Sequence, residues 1–279
     1  MIPRRFSQVD VFSTQALRGN PLAVVHDAEG LSEETMAAFA RWTNLSETTF
    51  LLPPTTGEAD YRVRIFTPGG ELPFAGHPTL GSAHAWLAAG GRSDTPGTVV
   101  QECGIGLVRV RREGRTLSFA APELLRSGPV EPAEVERVAA ACGLRPDQVL
   151  DAAWVDNGPG WLGLRLDSAD TVLSLRPDLA ALGDVELGVL GAHPAGGPAD
   201  VEVRAFVPSG GVGEDPVTGS LNAGLAVWLI GAGVLPDRYT AAQGTVLGRA
   251  GRVEVSREGD AIWVGGAVTT VVGGEVELP

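Results

Sequence analysis

The amino-acid sequence predicts an α+β fold made of two similar halves. Residues 63–70 and 203–210 are identical at five of eight positions, at an offset of 140 residues in a chain of 279. Each copy is followed by a turn with polar residues and then by an apolar, helix-like run. A repeat this long is not a solenoid unit. Hairpin-like strands mixed with one central helix per half suit an α+β fold better than a doubly wound parallel sheet.

The offset between the halves lengthens slightly along the repeat. The first apolar run ends in Trp86-Leu87 and the second in Trp228-Leu229, which are 142 residues apart. We therefore predict that residues 61–87 superpose on residues 201–229 as a strand, a turn and a central helix.

The residues that break this similarity lie in the turns. Glu71 and His77 belong to the first half, and Glu214 and Asp215 belong to the second. Ligand sites form preferentially where two domains meet. The sequence therefore predicts an active site at the interface of two domains.

Hydrophobic periodicity and capping signals define the elements of the first half. Ser32, followed by two glutamates, is a candidate N-cap for a helix that ends near Thr43. The alanine-rich stretch 79–89 predicts the buried central helix. Strands are predicted at 6–12, 22–25, 48–52, 61–66, 99–103, 106–111 and 116–119.

Between residues 121 and 130 the composition turns to Pro, Ser and Gly, which marks a domain boundary. The predicted domains are residues 1–121 and 122–267; a return of residues 268–279 to the first domain's sheet stays open. The second domain is predicted to contain strands at 148–155, 161–166, 201–207, 252–256 and 261–268, and helices at 133–142, 178–182 and 221–235.

Composition excludes several classes of function. The net charge of −13 argues against a nucleic-acid partner, which requires a basic face. All 21 basic residues are arginine. Without lysine the chain cannot form a Schiff base or a Walker A phosphate loop.

Cysteines and histidines show no metal-binding pattern. Cys103 and Cys142 make neither a disulfide framework nor a cluster, and the four histidines lack ligand spacing. The longest uncharged apolar run, 221–235, is too short for a membrane span. We find no secretory signal and expect a cytoplasmic protein.

The glycine-rich segment 158–163 matches GxGxxG but predicts no nucleotide cofactor. A dinucleotide site needs a helix directly after the glycines. Residues 162–166 alternate like a strand instead.

Two turns that lead into helices are candidate anion sites. The first is Gly76-His77-Pro78-Thr79, and the second runs from Asp215 to Ser220. The first backbone N–H groups of a helix are unpaired and carry partial positive charge, so two such helix starts would bind a small anionic substrate. Ordinary N-capping by Thr79, Thr218 or Ser220 is the alternative, and both interpretations stay open on the turns alone.

Glu47 is a candidate acid–base residue. It is flanked by Leu45, Phe50 and Leu51, so its carboxylate is a candidate for partial desolvation. Desolvation raises the pKa of a carboxyl group toward the range that is useful for moving protons at neutral pH. The alternative is a solvated glutamate at a strand edge.

Five segments form a specific set of motifs: Gly19-Asn20-Pro21 with 22–25, Asn44-Leu45-Ser46-Glu47-Thr48, Phe66-Thr67-Pro68, 76–79 and 214–220. In order and spacing, these motifs resemble the phenazine-biosynthesis PhzF-like family over essentially the whole chain. The resemblance implies a diaminopimelate-epimerase fold, in which two pseudo-symmetric α+β halves each wrap a mostly antiparallel sheet around a central helix.

The resemblance also implies isomerase chemistry without metal or organic cofactor. In the family, a glutamate that matches Glu47 moves a proton between two carbons of a dihydro-hydroxyanthranilate. The histidine and aspartate that hold the substrate match His77 and Asp215. The remaining substrate-binding positions implied are Asn20, Gly76, Thr218, Gly219 and Ser220.

Two other functions remain as alternatives to this isomerase. One is a different, epimerase-like proton transfer on an unrelated metabolite, and the other is a non-catalytic binding protein. Related epimerases use two cysteines at the turn-to-helix junctions, but these junctions, around Ala75 and Pro216, hold no cysteine. Glu47 favours an enzyme, because binding an anion does not require it. We expect a small anionic metabolite as ligand and a homodimer.

Overall fold

The chain forms two compact units in a computed structural model that describes residues 2–208 and 213–279. The first unit is Met1–Ala120 with Gly265–Pro279, and the second is Ala121–Val264. For comparison, the sequence predicts domain boundaries after residues 121 and 267. Ser209 and Gly210, the end of the second repeat copy, lie outside the described residues.

Strands and helices follow a similar order in both units, apart from an extra strand and helix at the start of the second unit and two short helices where the first unit has one. Up to residue 120 the elements are β1 (Ile2–Val11), β2 (Asn20–Val25), α1 (Glu33–Thr43), β3 (Thr48–Leu52), β4 (Tyr61–Thr67), β5 (Gly70–Leu72), α2 (Gly76–Ala88), β6 (Thr98–Cys103), β7 (Gly106–Glu113) and β8 (Thr116–Ala120). The rest are β9 (Arg126–Pro129), α3 (Pro132–Ala141), β10 (Val149–Asp156), β11 (Leu162–Leu166), α4 (Ala169–Ser174), α5 (Leu179–Leu182), β12 (Leu187–Ala192), β13 (Val201–Val207), β14 (Gly213–Asp215), α6 (Gly219–Gly231), β15 (Arg238–Gln243), β16 (Gly251–Glu258) and β17 (Ala261–Leu278).

The strand pairings of the first unit recur in the second. In the first unit β1 is antiparallel to β2, β2 is parallel to β3, and β3 is antiparallel to β4. Strand β4 then pairs antiparallel with β5 and parallel with β6. The series β10, β11, β12, β13, β14 and β15 repeats these directions one for one. The outer neighbour of β1 is the end of β17, and that of β10 is β9. The predicted α+β fold of two similar, mostly antiparallel halves is confirmed.

One central helix of 13 residues packs against each sheet. Neither helix has a continuous polar face, as expected for a buried helix, and α2 contacts β1, β2, β3, β6, β7 and β8. Small residues allow the close approach. A Cβ built on Gly81 would lie 2.5 Å from Leu22 Cδ2, and one on Gly224 would lie 2.3 Å from the Val155 carbonyl oxygen.

The structure corrects the register of the repeat. Helices α2 and α6 begin at Gly76 and Gly219, so the offset from the hairpin onward is 143 residues. Trp86 therefore aligns with Leu229, and the predicted match of Trp86 with Trp228 is wrong by one residue. The second hairpin is longer, because Thr67 pairs with Gly70 whereas Val207 pairs with Gly213.

Several element boundaries also differ from the prediction. Helix α2 begins three residues earlier than expected, because Pro78 is tolerated in the first turn of a helix. Helix α6 ends at Gly231, not near residue 235, and β17 continues to Leu278, not 268. Strands β12 and β15 were not predicted. Among residues 2–208 and 213–279, none of the helices has the length and hydrophobicity of a membrane span.

Candidate active site

Glu47 lies in the short connection between α1 and β3. Asn44 ends α1 in a left-handed conformation (φ 53°), which asparagine tolerates, and its N–H donates to the Ala40 carbonyl at 3.2 Å. The hydroxyls of Thr43 and Thr48 lie 2.9 Å apart on either side of the connection. The Glu47 side chain is only 15% exposed. The alternative of a solvated strand-edge glutamate is therefore wrong.

His77 is the second residue of α2 and faces Glu47. Its Nδ1 lies 3.4 Å from Glu47 Oε2, and its side chain is 5% exposed. Burial lowers the pKa of His77 to about 3, and a hydrogen bond to the Pro21 carbonyl acts more weakly in the opposite direction. The imidazole is therefore neutral at neutral pH. A neutral imidazole has one N–H donor and one acceptor nitrogen, so the pair carries one negative charge when Glu47 is ionised and none after the carboxylate accepts a proton from a ligand.

A buried aspartate organises the turn that carries Asn20. Asp10 Oδ2 accepts the backbone N–H groups of Arg18 at 2.7 Å and Gly19 at 2.9 Å. Asn20 is fully buried at the start of β2. The next residue, Pro21, reaches His77 through its carbonyl, so the structure brings the Asn20 turn, His77 and Glu47 together in the first unit. No local sequence pattern indicates this role for Asp10, which occupies a polar position of an alternating strand.

Helix α2 begins without a side-chain cap. Its N-cap residue is Ala75, and Gly76 and His77 form the first turn. Thr79, which was a candidate capping residue, has a hydroxyl that accepts a hydrogen bond from Gln101 Nε2 at 3.0 Å. The N-capping interpretation is therefore wrong for this helix.

Asp215 and Thr218 form the corresponding group in the second unit. Thr218 is the N-cap residue of α6, yet it makes no capping bond to the helix. Its hydroxyl instead donates to Asp215 Oδ2 at 2.5 Å. Gly219 and Ser220 form the first turn of α6. The Ser220 hydroxyl accepts a hydrogen bond from Trp161 Nε1 at 3.0 Å, so neither predicted capping residue caps this helix.

Gln243, at the end of β15, holds this turn in place, and the sequence did not identify it. Its Oε1 accepts the Thr218 N–H at 3.0 Å and the Asn222 side-chain amide at 2.9 Å. Its Nε2 donates to the Thr218 hydroxyl at 2.9 Å and to the Asp215 carbonyl at 3.2 Å. The side chain is completely buried. Because Gln243 Nε2 already donates to the Thr218 hydroxyl, the hydroxyl proton is directed to Asp215.

Glu71 and Glu214 do not break the symmetry of the halves, contrary to the prediction. Glu71 lies opposite Phe66 in the first hairpin, and Glu214 lies opposite Phe206 in the second. Each makes a bidentate ion pair with the arginine two residues before that phenylalanine. The two glutamates are equivalent structural residues.

The positions that do differ are Asp215 and His77. Asp215 lies opposite Ala205, where the first hairpin places Leu72 opposite Ile65. His77 is the second residue of its helix, where α6 has Ser220. The carboxylate of Asp215 and the imidazole of His77 therefore each occur in one half only.

The fold and these groups define the class of the protein. It is an α+β protein of the diaminopimelate-epimerase type, with a buried glutamate–histidine pair at the start of its first central helix. A PhzF-family phenazine biosynthesis protein of Enterococcus faecalis has a similar crystal structure, with a TM-score of 0.82 at 27% identity over 99% of this chain and 100% of that one.

Sequence comparisons identify the family. The model of the family described as phenazine biosynthesis-like protein matches residues 9–274. The chain is 37% identical to antisense-enhancing sequence 1 of Schizosaccharomyces pombe over 99% of both chains. It is 35% identical to trans-2,3-dihydro-3-hydroxyanthranilate isomerase of Pseudomonas aeruginosa over 91% of both chains. The chain belongs to the phenazine biosynthesis-like (PhzF) family and is an isomerase of that family.

Proposed function

We propose that this isomerase moves a proton between two carbons of a small amino carboxylate similar to trans-2,3-dihydro-3-hydroxyanthranilate, without metal or organic cofactor. The observation that carries the proposal is the buried contact of 3.4 Å between Glu47 and His77. The similarity to the Pseudomonas aeruginosa isomerase supports the choice of substrate.

Glu47 is the proposed acid and base. In its carboxylate form it accepts a proton from one carbon of the substrate, and in its carboxyl form it returns that proton to a second carbon. The double bond shifts and no proton is lost. The neutral imidazole of His77 supports this cycle, because it does not stabilise the ionised carboxylate as a charged imidazolium would.

The remaining predicted residues are proposed to bind the substrate. Asp215 and His77 would position it, and the N–H groups at the starts of α2 and α6 would hold its anionic group. The absence of side-chain caps on both helices supports that role. The other proposed substrate contacts are Asn20, Gly76, Thr218, Gly219 and Ser220.

The proposal is tested by replacing Glu47 with Gln, which keeps the shape and removes the titrating group. We expect turnover of trans-2,3-dihydro-3-hydroxyanthranilate to fall by about 10²–10⁴-fold with an unchanged circular dichroism spectrum. The matched control is Glu58→Gln on an exposed loop of the same unit, which should keep wild-type activity.

Solvent deuterium separates the proposal from its alternatives. In D₂O the wild-type enzyme should form the isomerised product, and any deuterium in that product should lie at the carbon that Glu47 reprotonates. Exchange into other carboxylates without this isomerisation would indicate an epimerase-like reaction. Binding without exchange or turnover would indicate a binding protein, and wild-type turnover by the Glu47→Gln protein would refute the mechanism.

We also propose a cytoplasmic homodimer, on the strength of the family resemblance. Light scattering should give about twice the chain mass. A mass near 28.9 kDa across a wide concentration range would contradict the dimer.

A further inference from the structure

Glu186 occupies the position in the second unit that Glu47 occupies in the first. Thr48 pairs with Phe66, and the equivalent pair in the second unit is Leu187 with Phe206. The residue before each of these strands is a glutamate. The sequence repeat did not reveal this match, because β12 was not predicted.

Packing places Glu186 at the start of α6. A Cβ built on Gly188 would lie 2.1 Å from Leu221 Cδ1, so this face of β12 is covered by the first turns of the helix. Side chains two residues apart on a strand share a face, so Glu186 lies on the face covered by α6, beyond Gly188 toward the helix start. In the first unit, Ser82 of α2 donates to the Thr49 hydroxyl at 2.9 Å, and Glu47 lies two residues before Thr49 beside the start of α2.

The neighbouring strand gives the same placement. The Leu162 N–H donates to the Glu186 carbonyl at 2.9 Å, so Trp161 and Glu186 are adjacent across β11 and β12. Trp161 Nε1 in turn donates to the hydroxyl of Ser220 in the first turn of α6. Glu186, Trp161 and Ser220 therefore cluster at the helix start. Glu186 is only 8% exposed.

The two glutamates differ in the residue at the second position of the helix. Glu47 faces the imidazole of His77, whereas the second unit offers the hydroxyl of Ser220. A serine hydroxyl does not titrate near neutral pH, so the second position of α6 does not supply a titratable group of the kind that His77 supplies in α2. A buried carboxylate is an acceptor-only group with high affinity for a cationic N–H donor.

We propose that Glu186 is a specificity-determining residue that accepts a hydrogen bond from the ammonium group of an amino carboxylate substrate. The inference rests on the proposed function. The N–H groups at the start of α6 would hold the substrate's carboxylate, and Glu186 at the same helix start would hold the neighbouring ammonium group. Both charges of a zwitterion are thereby matched within the second unit.

The kinetic test compares isosteric Glu→Gln variants with trans-2,3-dihydro-3-hydroxyanthranilate as the probe. Glu186→Gln should raise KM about 10- to 100-fold, the effect of losing a charge-assisted hydrogen bond, and should change kcat by less than about 3-fold. Glu47→Gln should lower kcat instead. The control is Glu202→Gln, a change at a glutamate that is 1% exposed on the opposite face of the second unit's sheet and contacts His193 at 3.0 Å. This control should leave both constants unchanged. An unchanged KM in the Glu186→Gln enzyme would overturn the proposal.

A binding measurement makes the test independent of turnover. Calorimetric titration of the same probe into Glu47→Gln and Glu47→Gln/Glu186→Gln proteins should show at least 10-fold weaker binding in the double variant. Weaker binding with an inert wild-type enzyme would refute the proposed function and retain the role of Glu186. Turnover by the wild-type enzyme, together with equal binding by the two variants, would support the proposed function and refute the role of Glu186. No turnover and no binding would refute both.

Discussion

Replacing Arg204 with methionine should destabilise the protein far more than the same change at Arg64, although the two arginines are equivalent in the repeat. Arg204 donates to both carboxylate oxygens of Glu214, at 2.9 and 2.8 Å, and to the carbonyls of Val172 and Leu175 at the end of α4, at 3.1 and 2.9 Å. Its side chain is 4% exposed and that of Glu214 is 13% exposed.

Burial sets the magnitude of the difference. Removing one partner of a buried ion pair costs about 3–5 kcal/mol, because the other charge stays buried without compensation. Arg64 makes a similar bidentate pair with Glu71, but the two side chains are 25% and 37% exposed. Solvent screens that pair, so its loss should cost about 1 kcal/mol or less. The expected difference between the two variants is about 2–4 kcal/mol.

Urea denaturation followed by circular dichroism measures the two free energies of unfolding. The double variant Arg204→Met/Glu214→Met should recover part of the loss, because no buried charge remains. If Arg204→Met cost no more than Arg64→Met, the reasoning from burial would be refuted. A double variant less stable than Arg204→Met alone would contradict the uncompensated-charge explanation.

Two further predictions concern packing and pH. Gly224→Ala should cost about 1–3 kcal/mol of stability, because the new methyl group would meet the Val155 carbonyl. Gly231→Ala on the same helix meets no atom and should be neutral or stabilising in urea denaturation; equal losses would contradict the close-packing argument. Because burial lowers the folded-state pKa of His77 to about 3 from 6.5, the unfolded chain binds the proton first as the pH falls. Stability should therefore decrease from pH 6.5 toward 3, by up to about 1.4 kcal/mol per pH unit from this group, and less steeply in His77→Asn. Equal slopes for the two proteins would count against a neutral buried imidazole.

Elements whose capping residues and periodicity are complete within a short stretch of sequence were predicted correctly. Ser32 caps α1 by accepting the Thr35 N–H at 3.1 Å, as predicted. The turn that begins at Gly158 also lies where expected, and it ends before β11, which begins at Leu162. These features depend on residues close together in the chain, which is why periodicity and capping rules detect them.

Strand β12 was not predicted because its residues are chosen for packing against neighbouring elements and do not alternate between polar and apolar. It reads Leu-Gly-Val-Leu-Gly-Ala and lacks polar alternation, since five of its six residues are buried. Gly188 leaves room for Leu221 of α6. A strand covered on both faces looks like any short apolar run, and a glycine required by a distant helix weakens its β propensity further.

Contacts between distant segments account for what the sequence could not predict in the candidate site. Gln243 reaches Thr218 because β15 pairs in parallel with β13, a pairing that no local pattern encodes. The longer second hairpin had a similar effect. With a constant offset of 140 residues, Glu71 aligns with residue 211 in the second half. Its structural equivalent is Glu214, so the sequence comparison wrongly treated both glutamates as differences between the halves. Glu47 and His77 were found from local motifs, and their contact follows from the packing of α2 beside β3.

The two helix starts differ in a way that supports the two roles proposed for one glutamate position. A carboxylate moves protons efficiently when its neighbour can change its own hydrogen bonding as the charge changes, and the imidazole of His77 has both a donor and an acceptor nitrogen for this. In the second half the Ser220 hydroxyl already accepts the indole N–H of Trp161. Placing a histidine at position 220 would leave that indole without its partner, so this change alone would not create a second proton-transfer pair. Under the proposed function, the different roles of Glu47 and Glu186 would therefore depend on Ser220 and Trp161 together, and not on the glutamate position that the two halves share.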